Sequence, residues 1–324
     1  MNKKSSGFIY IILSAVIFST MEVMLKTVSG VFAPMQITAL RFTVGGLLLI
    51  PFALRSLKMK GEKLHRSDIG FFALSGFLCV AFSMVLYQMA VTYTKASVVA
   101  VIFSCNPIFV TLIAHLILKE EIRKNQIIAL VLELIAVLII IDPLNVKLNM
   151  TGVTLSILAA LTFAFYSVVG KKKSAKFGSI TVTCFSFFFG SAELMALLLL
   201  GKTAAFGNLL SAAGLDIFVN VPILPVMPSW AVLPFLYICI IVTTGGYVCH
   251  MMAMEKTSAQ TASLIFFFKP ILAPIFAFIF LHEEIPFNMI IGIICFLIGS
   301  GIAVIPGIVQ QKKSLSSHNV DNAN

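Results

Sequence analysis

The chain alternates between long apolar runs and short polar segments. Val98–Leu118, for example, contains no Asp, Glu, Lys or Arg, and as a helix it is long enough to cross about 30 Å of hydrocarbon. Apolar runs of about 20 residues recur, without the period-two alternation that is typical of membrane β-barrels. The pattern predicts an all-α integral membrane protein with ten transmembrane helices, near residues 7–28, 33–54, 69–92, 96–118, 124–142, 151–170, 179–200, 230–253, 259–281 and 287–309.

The composition supports this class. Hydrophobic residues make up 59% of the chain and charged residues 11%, with a mean hydropathy of +1.04, whereas a soluble domain is about half apolar and a quarter charged. The first run contains Glu22 and lacks a clear cleavage site, so it is predicted to remain as the first span. The cysteines all fall inside apolar runs without a CxxC pair, which indicates packing residues and neither disulfides nor a metal site: Cys79, Cys105, Cys184, Cys239, Cys249 and Cys295.

The net charge of +10 reflects membrane topology better than nucleic-acid binding, because the Lys and Arg residues lie in short clusters between apolar runs. If the N-terminus is inside, the inner segments carry 17 Lys and Arg residues and the outer segments carry four. By the positive-inside rule this predicts a multi-pass protein of the cytoplasmic membrane with both termini cytoplasmic. The long outer segment Gly201–Ser229 is too apolar for a free linker, and we expect it to lie along the membrane interface.

The chain contains an internal repeat. Residues 87–143 align with residues 250–306 without a gap, and about twenty of the 57 pairs are identical. We call the shift that places residue 87 on residue 250 the C-terminal offset. The matches include Pro107 with Pro270, Glu120-Glu121-Ile122 with Glu283-Glu284-Ile285, and Pro143 with Pro306. Matching prolines, acidic pairs and loop lengths are not explained by apolar composition alone.

The first spans of the two halves align at a different shift, which places residue 7 on residue 152 and which we call the N-terminal offset. Gly7, Ala15, Phe18 and Lys26 then match Gly152, Ala160, Phe163 and Lys171. Each half therefore has five spans, and since five is odd, the second half enters the membrane from the opposite side. The predicted units are residues 7–143 and 151–306, followed by a polar cytoplasmic tail at 310–324. Inverted repeats of this kind are typical of secondary transporters, with the solute site near the midplane.

The repeated pattern resembles a known family. Ala96, Pro107 and Glu120 in the first half, and Ala259, Pro270 and Glu283 in the second, follow the order of an alanine start, a mid-helix proline and an acidic residue after the helix. Together with Leu40-Arg41-Phe42, this pattern resembles the EamA-type ten-span members of the drug/metabolite transporter superfamily. The resemblance implies an inverted-repeat bundle with a central cavity that exports or exchanges amino acids, sugars, nucleosides or other metabolites.

Lys269 is the foremost candidate for solute binding. A cation near the bilayer centre costs at least roughly 2.5–3.5 kcal/mol on insertion scales, so it should face a cavity or a partner. Its repeat counterpart is the neutral Asn106. In one interpretation Lys269 is the counter-charge for a carboxylate-bearing solute, and Lys269→Ala abolishes transport while the protein still reaches the membrane. In the other it forms a buried ion pair with Glu22 or Glu193.

Pro107 and Pro270 lie in the middle of their spans, where each proline frees a carbonyl one turn earlier, near Phe103 and Phe266. We expect broken helix and free backbone acceptors at the cavity, with a simple packing kink as the alternative. Several polar side chains inside spans complete the predicted substrate-binding set: Tyr87, Gln88, Tyr166, Tyr247 and His250. Tyr87 and His250 are repeat counterparts.

Four charged residues inside spans are predicted coupling or ion-pair residues: Glu22, Arg41, Glu133 and Glu193. Glu22 either couples protons or forms a local pair with Lys26 at position i+4. Arg41 is expected to face the interior, with a structural pairing favoured over substrate contact. Glu120 and Glu283 are predicted to cap or brace the helix that follows each of them.

Other chemistries lack their motifs. His282-Glu283-Glu284 lacks the second His of a zinc helix, and no Gly-rich phosphate loop or Ser/His/Asp arrangement is present, so no metal, cofactor or enzymatic activity is predicted. The predicted function is secondary transport by alternating access, through efflux or exchange. The predicted partners are a small-molecule substrate, the lipid bilayer and a coupling proton or counter-solute. Alternatives are a flippase for lipid-linked sugar or polyprenyl carriers and, in another class, a membrane-embedded enzyme or sensor.

Overall fold

The computed structural model describes residues 3–119, 121–122, 124–141, 149–224, 226–257, 259–262 and 265–302. In this part of the chain the regular structure is helical. Its ten long apolar helices are α1 Gly7–Thr27, α2 Pro34–Lys60, α3 Arg66–Tyr93, α4 Ala96–Leu118, α5 Lys124–Ile141, α6 Met150–Phe177, α7 Ser179–Leu200, α8 Ser229–Lys256, α9 Ile265–Leu281 and α10 Phe287–Ile302.

Seven of these helices, α1–α4 and α6–α8, are long and apolar enough to cross a membrane, and shorter apolar helices form within α9 and at α10. The prediction of an all-α, ten-helix membrane protein is confirmed. Helix α7, which contains Glu193, is one continuous helix of 22 residues. The unit boundaries at Pro143 and Pro306, Glu120, and the tail at 310–324 lie outside the described residues.

The helix boundaries recur between the two halves. The N-terminal offset relates the starts of α2 and α7, at Pro34 and Ser179, whereas the C-terminal offset relates the starts of α3 and α8, at Arg66 and Ser229. The additional residues of the second half therefore lie in the connection from α7 to α8, which contains the short helix Ala204–Ala212. Residues of this connection pack against the ends of α2, α3 and α7 in one apolar cluster that includes Leu210, Phe218, Val221, Met35, Val85 and Leu194.

The third helix of each half contains a π-helical segment in its middle. These segments are Phe77–Met84 in α3 and Ile238–Gly246 in α8, and they overlap under the C-terminal offset. A π-helix is rare and occurs mainly at functional sites, because it widens the helix and redirects its side chains. The same irregularity in both halves indicates a shared role.

Reciprocal contacts show that the halves are related by inversion. The Asn125 side chain donates to the carbonyl of Ile302 at 3.3 Å, and its counterpart Asn288 donates to the carbonyl of Ile139 at 3.3 Å. The C-terminal offset relates both the two asparagines and the two isoleucines, so each helix of the α5–α10 pair binds the end of the other. Gly7 contacts Thr257 in the same way that Gly152 contacts Thr94.

The two mid-span prolines have different local structures. Helix α4 is interrupted by a turn at Ser104 and Cys105, and Pro107 lies in the first turn of the helical segment that follows. This position suits proline because its missing N–H has no helical partner there. Pro270 instead lies inside the continuous helix α9. The expectation of a broken helix therefore holds for Pro107 and is wrong for Pro270.

Polar contacts close both ends of the bundle. We call the end with Lys60 and Glu255 the basic face and the end with Ala96 and Glu283 the opposite face. On the opposite face, the Glu283 carboxylate accepts hydrogen bonds from the Ala96 N–H at 2.8 Å and from the Ser97 hydroxyl at 2.7 Å. Glu283 thus caps α4 in the other half, which corrects the prediction that it serves the helix after it.

Lys26 completes the contacts on the opposite face. Its ammonium group donates to the carbonyls of Val91 and Thr94 at 2.7 and 3.0 Å, at the end of α3. On the basic face, Glu255 accepts hydrogen bonds from the N–H and hydroxyl of Ser179 and lies 3.5 Å from the Lys60 ammonium. Each face is therefore held by a carboxylate at a helix N-terminus, where the helix dipole favours negative charge.

Candidate functional site

Buried polar side chains from seven helices lie at the centre of the bundle. Each is at most 2% exposed, so the conformation described is closed toward both faces. We call this set the central cluster; its members are Glu22, Arg41, Tyr87, Asn106, Tyr166, Ser167, Tyr247, His250 and Lys269. Polar groups are expensive to bury in a membrane protein, and such residues usually mark a functional pathway.

Glu22 is the carboxylate of the central cluster. It forms an ion pair with Lys269 and accepts a hydrogen bond from the Tyr87 hydroxyl. The Lys269 ammonium also lies 4.9 Å from the ring centre of Phe103, a cation–π distance. Of the two pairings considered for Lys269, the structure therefore contains the one with Glu22. The predicted local pair of Glu22 with Lys26 is absent from the described ion pairs, since Lys26 binds carbonyls of α3 instead.

The repeat places a neutral triad opposite this charged one. The N-terminal offset relates Glu22 to Ser167, and the C-terminal offset relates Tyr87 to His250 and Lys269 to Asn106. The Ser167 hydroxyl and the His250 ring are 3.4 Å apart, which repeats the contact between Glu22 and Tyr87.

Asn106 donates to the carbonyl of Ala160 at 2.7 Å. In the order of residues along each helix, Glu22 and Tyr87 lie toward the opposite face, and their counterparts Ser167 and His250 lie toward the basic face. Lys269 and Asn106 lie nearer the middle of their spans. The repeat therefore places charged residues in one triad and uncharged residues at the equivalent positions of the other.

Aromatic rings separate the two triads. Phe103 and Phe266, which are repeat counterparts, have ring centres 6.0 Å apart, and both rings contact Phe163. The Phe163 ring also contacts His250 and Tyr247. These rings form an apolar layer between the charged and neutral parts, so a bound solute would meet aromatic surface as well as polar groups.

Arg41 extends from α2 into the same region and is 0% exposed. Its Nη1 atom is 3.8 Å from the sulfur of Met21, a weak acceptor, and its guanidinium lies 4.7 Å from the ring centre of Phe42. Nε and Nη2 have no hydrogen-bond partner in the part of the chain that is described. The expected structural pairing of Arg41 with a carbonyl or carboxylate is therefore not found among the described residues.

The other predicted residues, Gln88, Glu133 and Glu193, are not members of the central cluster. Gln88 follows Tyr87 in α3, and its side-chain carbonyl is buried without a partner among the described residues. Glu133 accepts a hydrogen bond from Ser300 at 2.8 Å in the α5–α10 pair, outside the central cluster. Glu193 lies partly exposed in α7 and forms no ion pair within the described ranges. Glu133 and Glu193 therefore do not join Glu22.

One member of the central cluster, Ser167, and several other buried polar residues were not foreseen from the sequence. Ser167 and Thr243 are ordinary small polar residues, and only their burial at 0% distinguishes them. Ser83 binds the carbonyl of Ala159 at 2.9 Å, and Ser14 binds that of Gly246 at 3.2 Å. These two contacts are equivalent under the repeat offsets. Extending the N-terminal offset to Glu22 would have identified Ser167.

Comparisons with known proteins agree with this fold. The EamA-like transporter family matches twice, at residues 5–142 and 150–305. An uncharacterized transporter of Clostridium kluyveri is 36% identical over 302 residues, covering 91% of each chain. The uncharacterized transporter YyaM of Bacillus subtilis is 22% identical and covers 87% of this chain and 89% of its own. Protein PagO of Salmonella typhimurium is 27% identical and covers 84% of each chain.

A solved crystal structure has the same fold, with a TM-score of 0.67 over 93% of this chain and 98% of its own at 14% identity. The inverted bundle and its buried polar centre are typical of polytopic membrane carriers. The chain belongs to the EamA-like transporter family, in the drug/metabolite transporter superfamily. The N-terminal offset relates the starts of the two family matches and the C-terminal offset relates their ends, as for the helices.

Proposed function

We propose that this protein is a secondary transporter that moves a small organic solute across the cytoplasmic membrane by alternating access, through efflux or exchange. The observation that carries the proposal is the central cluster, because it lies where the two inverted halves meet. If the halves exchange conformations, the face that is open changes while the cluster remains in place. The family of this chain and the names of its relatives support transport and do not identify a solute.

The contacts at the two faces support alternation. Glu283 joins the halves on the opposite face through Ala96 and Ser97, and Glu255 joins them on the basic face through Lys60. These contacts are half-buried, so water can replace them when either side opens. We further propose that the basic face is cytoplasmic, because its loops carry most of the Lys and Arg residues.

The test is solute counterflow in liposomes that contain the purified protein. We expect trans-stimulated uptake of at least one solute from a panel of amino acids, sugars, nucleosides and organic acids. A bifunctional thiol cross-linker between Ser97→Cys and Glu283→Cys, in a background without native cysteines, should stop this flux, and each single-cysteine variant should not. Counterflow that persists after complete cross-linking, or no counterflow with the whole panel, would contradict the proposal.

An apolar groove on the side of the bundle favours the flippase as a second candidate function. An apolar groove of about 330 Å³ opens on the side of the bundle between α1, α8 and α9, lined in part by Met24, Leu233 and Phe276. A groove of this kind could accept a hydrocarbon chain. Scrambling of a fluorescent polyprenyl phosphate, without counterflow of any water-soluble solute, would favour the flippase.

A further inference from the structure

We infer that Arg41, and not Lys269, is the residue that recognises the solute, and that the solute carries a carboxylate with a single negative charge. The inference rests on the proposed transport function and specifies its substrate class. It differs from the expectation based on sequence alone, in which Lys269 is the foremost candidate for the counter-charge and a structural pairing is favoured for Arg41.

The free edge of the Arg41 guanidinium has the geometry of a carboxylate receptor. Nε and Nη2 are adjacent on one side of the planar group, so their N–H bonds point in parallel toward the same space. Neither atom has a hydrogen-bond partner within the described ranges, whereas Nη1, on the other side, faces the sulfur of Met21. Two parallel donors fit the two oxygens of a carboxylate in a bidentate pair.

The charge balance of the central cluster gives the charge of the ligand. Glu22 and Lys269 neutralise each other in their ion pair, which leaves Arg41 as an additional positive charge. Among the described residues, Arg41 forms no ion pair, and its Nε and Nη2 atoms have no hydrogen-bond partner. A buried cation without an anionic partner is costly in a membrane, and one monoanion would balance the cluster.

The repeat indicates that Arg41 is not required by the architecture. The N-terminal offset, which aligns the starts of α2 and α7, places Ser186 opposite Arg41 and Phe187 opposite Phe42. The rings of Phe42 and Phe187 are in contact at 4.7 Å, so these counterpart positions meet where the two halves pack together. Ser186 forms a 2.7 Å hydrogen bond with Ser75. The same scaffold position is thus filled by a small neutral residue in the other half.

Lys269 is a weaker candidate for the same role. Its ammonium group is already paired with Glu22 and lies beside the rings of Phe103 and Tyr87. A second carboxylate at Lys269 would compete with Glu22 in a site where both would be unhydrated. Arg41 has no such competitor among the described residues, and its access depends on separation of the helices, which alternating access provides.

The experiment compares two ligands of nearly the same shape, phenylacetate and phenylacetamide, because the central cluster offers aromatic surface. Binding of each radiolabelled compound to the purified full-length protein is measured by equilibrium dialysis at constant ionic strength. Arg41→Gln removes the positive charge, whereas Arg41→Lys keeps the charge but loses the two parallel N–H donors. Lys95→Gln is the control, with the same change of charge at an exposed position. Direct binding of radiolabelled acetate and pyruvate is measured in the same way.

We expect the wild type and Lys95→Gln to bind phenylacetate, and to bind phenylacetamide at least 10-fold more weakly. Arg41→Gln should lose roughly 30-fold or more in affinity for the carboxylate, the factor for the loss of a buried charged partner. Arg41→Lys should lose less affinity for phenylacetate than Arg41→Gln does, because it keeps the positive charge.

Equal binding of the acid and the amide by the wild type, unchanged carboxylate binding by Arg41→Gln, or no binding of any of the three acids would overturn the inference. If Arg41→Gln does not fold, the wild-type ligand comparison and Arg41→Lys still decide. Counterflow of a solute without a carboxylate, unaffected by Arg41→Lys, would leave the transport function intact while overturning the role of Arg41.

Discussion

The ion pair of Glu22 and Lys269 gives the sharpest prediction about stability. Lys269→Met retains an unbranched side chain without the charge, and Glu22→Gln retains the shape of the carboxylate without its charge. Each single substitution leaves one buried charge without its partner, whereas the double substitution leaves none. Glu22 and Lys269 are 1% and 0% exposed, so solvent does not screen the remaining charge.

Removal of one member of a buried ion pair costs about 3–5 kcal/mol in general. In Glu22→Gln the rings of Phe103 and Tyr87 still face the ammonium group, and such contacts retain about 0.5–2 kcal/mol. In Lys269→Met the carboxylate keeps the hydrogen bond from Tyr87. We therefore expect each single variant to lose about 3 kcal/mol of unfolding free energy, and the double variant to lose at least about 2 kcal/mol less than the sum of the two.

The assay is reversible unfolding of the purified protein in mixed micelles by increasing the mole fraction of SDS. Ser167→Ala, at the repeat counterpart of Glu22, is the control and should cost about 1 kcal/mol or less, because it loses one neutral hydrogen bond. Single effects that add to within about 0.5 kcal/mol in the double variant would refute the coupling. The double variant also separates folding from transport, since a stable protein that no longer transports would show that the charges act in the transport cycle.

Two further substitutions test the closure and packing of the bundle. Glu283→Gln should lower the unfolding free energy by about 1 kcal/mol, as for other lost helix caps. It should also increase the thiol labelling of a cysteine introduced at Ser97 on the opposite face. Glu284→Gln, at an exposed position, should change neither quantity. Gly190→Ala should cost about 1–3 kcal/mol in SDS unfolding, because the added Cβ would overlap the carbonyl oxygen of Gly76 in α3. Gly70→Ala, which has nothing within 4 Å of the added atom, should be neutral or stabilising; an equal loss in both glycine variants would contradict the packing argument.

The sequence predicted the helices because each requires about 20 apolar residues, and it predicted the inversion because the repeated unit has an odd number of spans. It also identified the polar residues of the central cluster except Ser167, since charged and aromatic polar groups are conspicuous inside a span. A serine is not conspicuous, because its hydroxyl often binds a carbonyl of its own helix without cost to the fold.

Partners distant along the chain were not predictable from local patterns. Lys26 is one helical turn from Glu22 in the sequence but binds carbonyls of α3, and Glu283 caps a helix of the other half. The two prolines share a motif, yet their helices differ. A turn at Ser104 and Cys105 interrupts α4 before Pro107, whereas α9 continues through Pro270. The apolar runs therefore identify which polar residues are buried in the bundle. Their hydrogen-bond and ion-pair partners depend on how the two halves pack together, which local patterns do not contain.

The central claim is that the two halves open alternately around the central cluster. It is tested most directly by pulsed electron–electron distance measurements between spin labels in lipid nanodiscs. One pair, Tyr93 and His282, reports on the opposite face, and its repeat counterpart, Lys256 and Lys119, reports on the basic face. We predict two distance populations at each face that shift in opposite directions when a transported solute is added. A single unchanged distance at both faces, or lengthening of both together, would contradict the account.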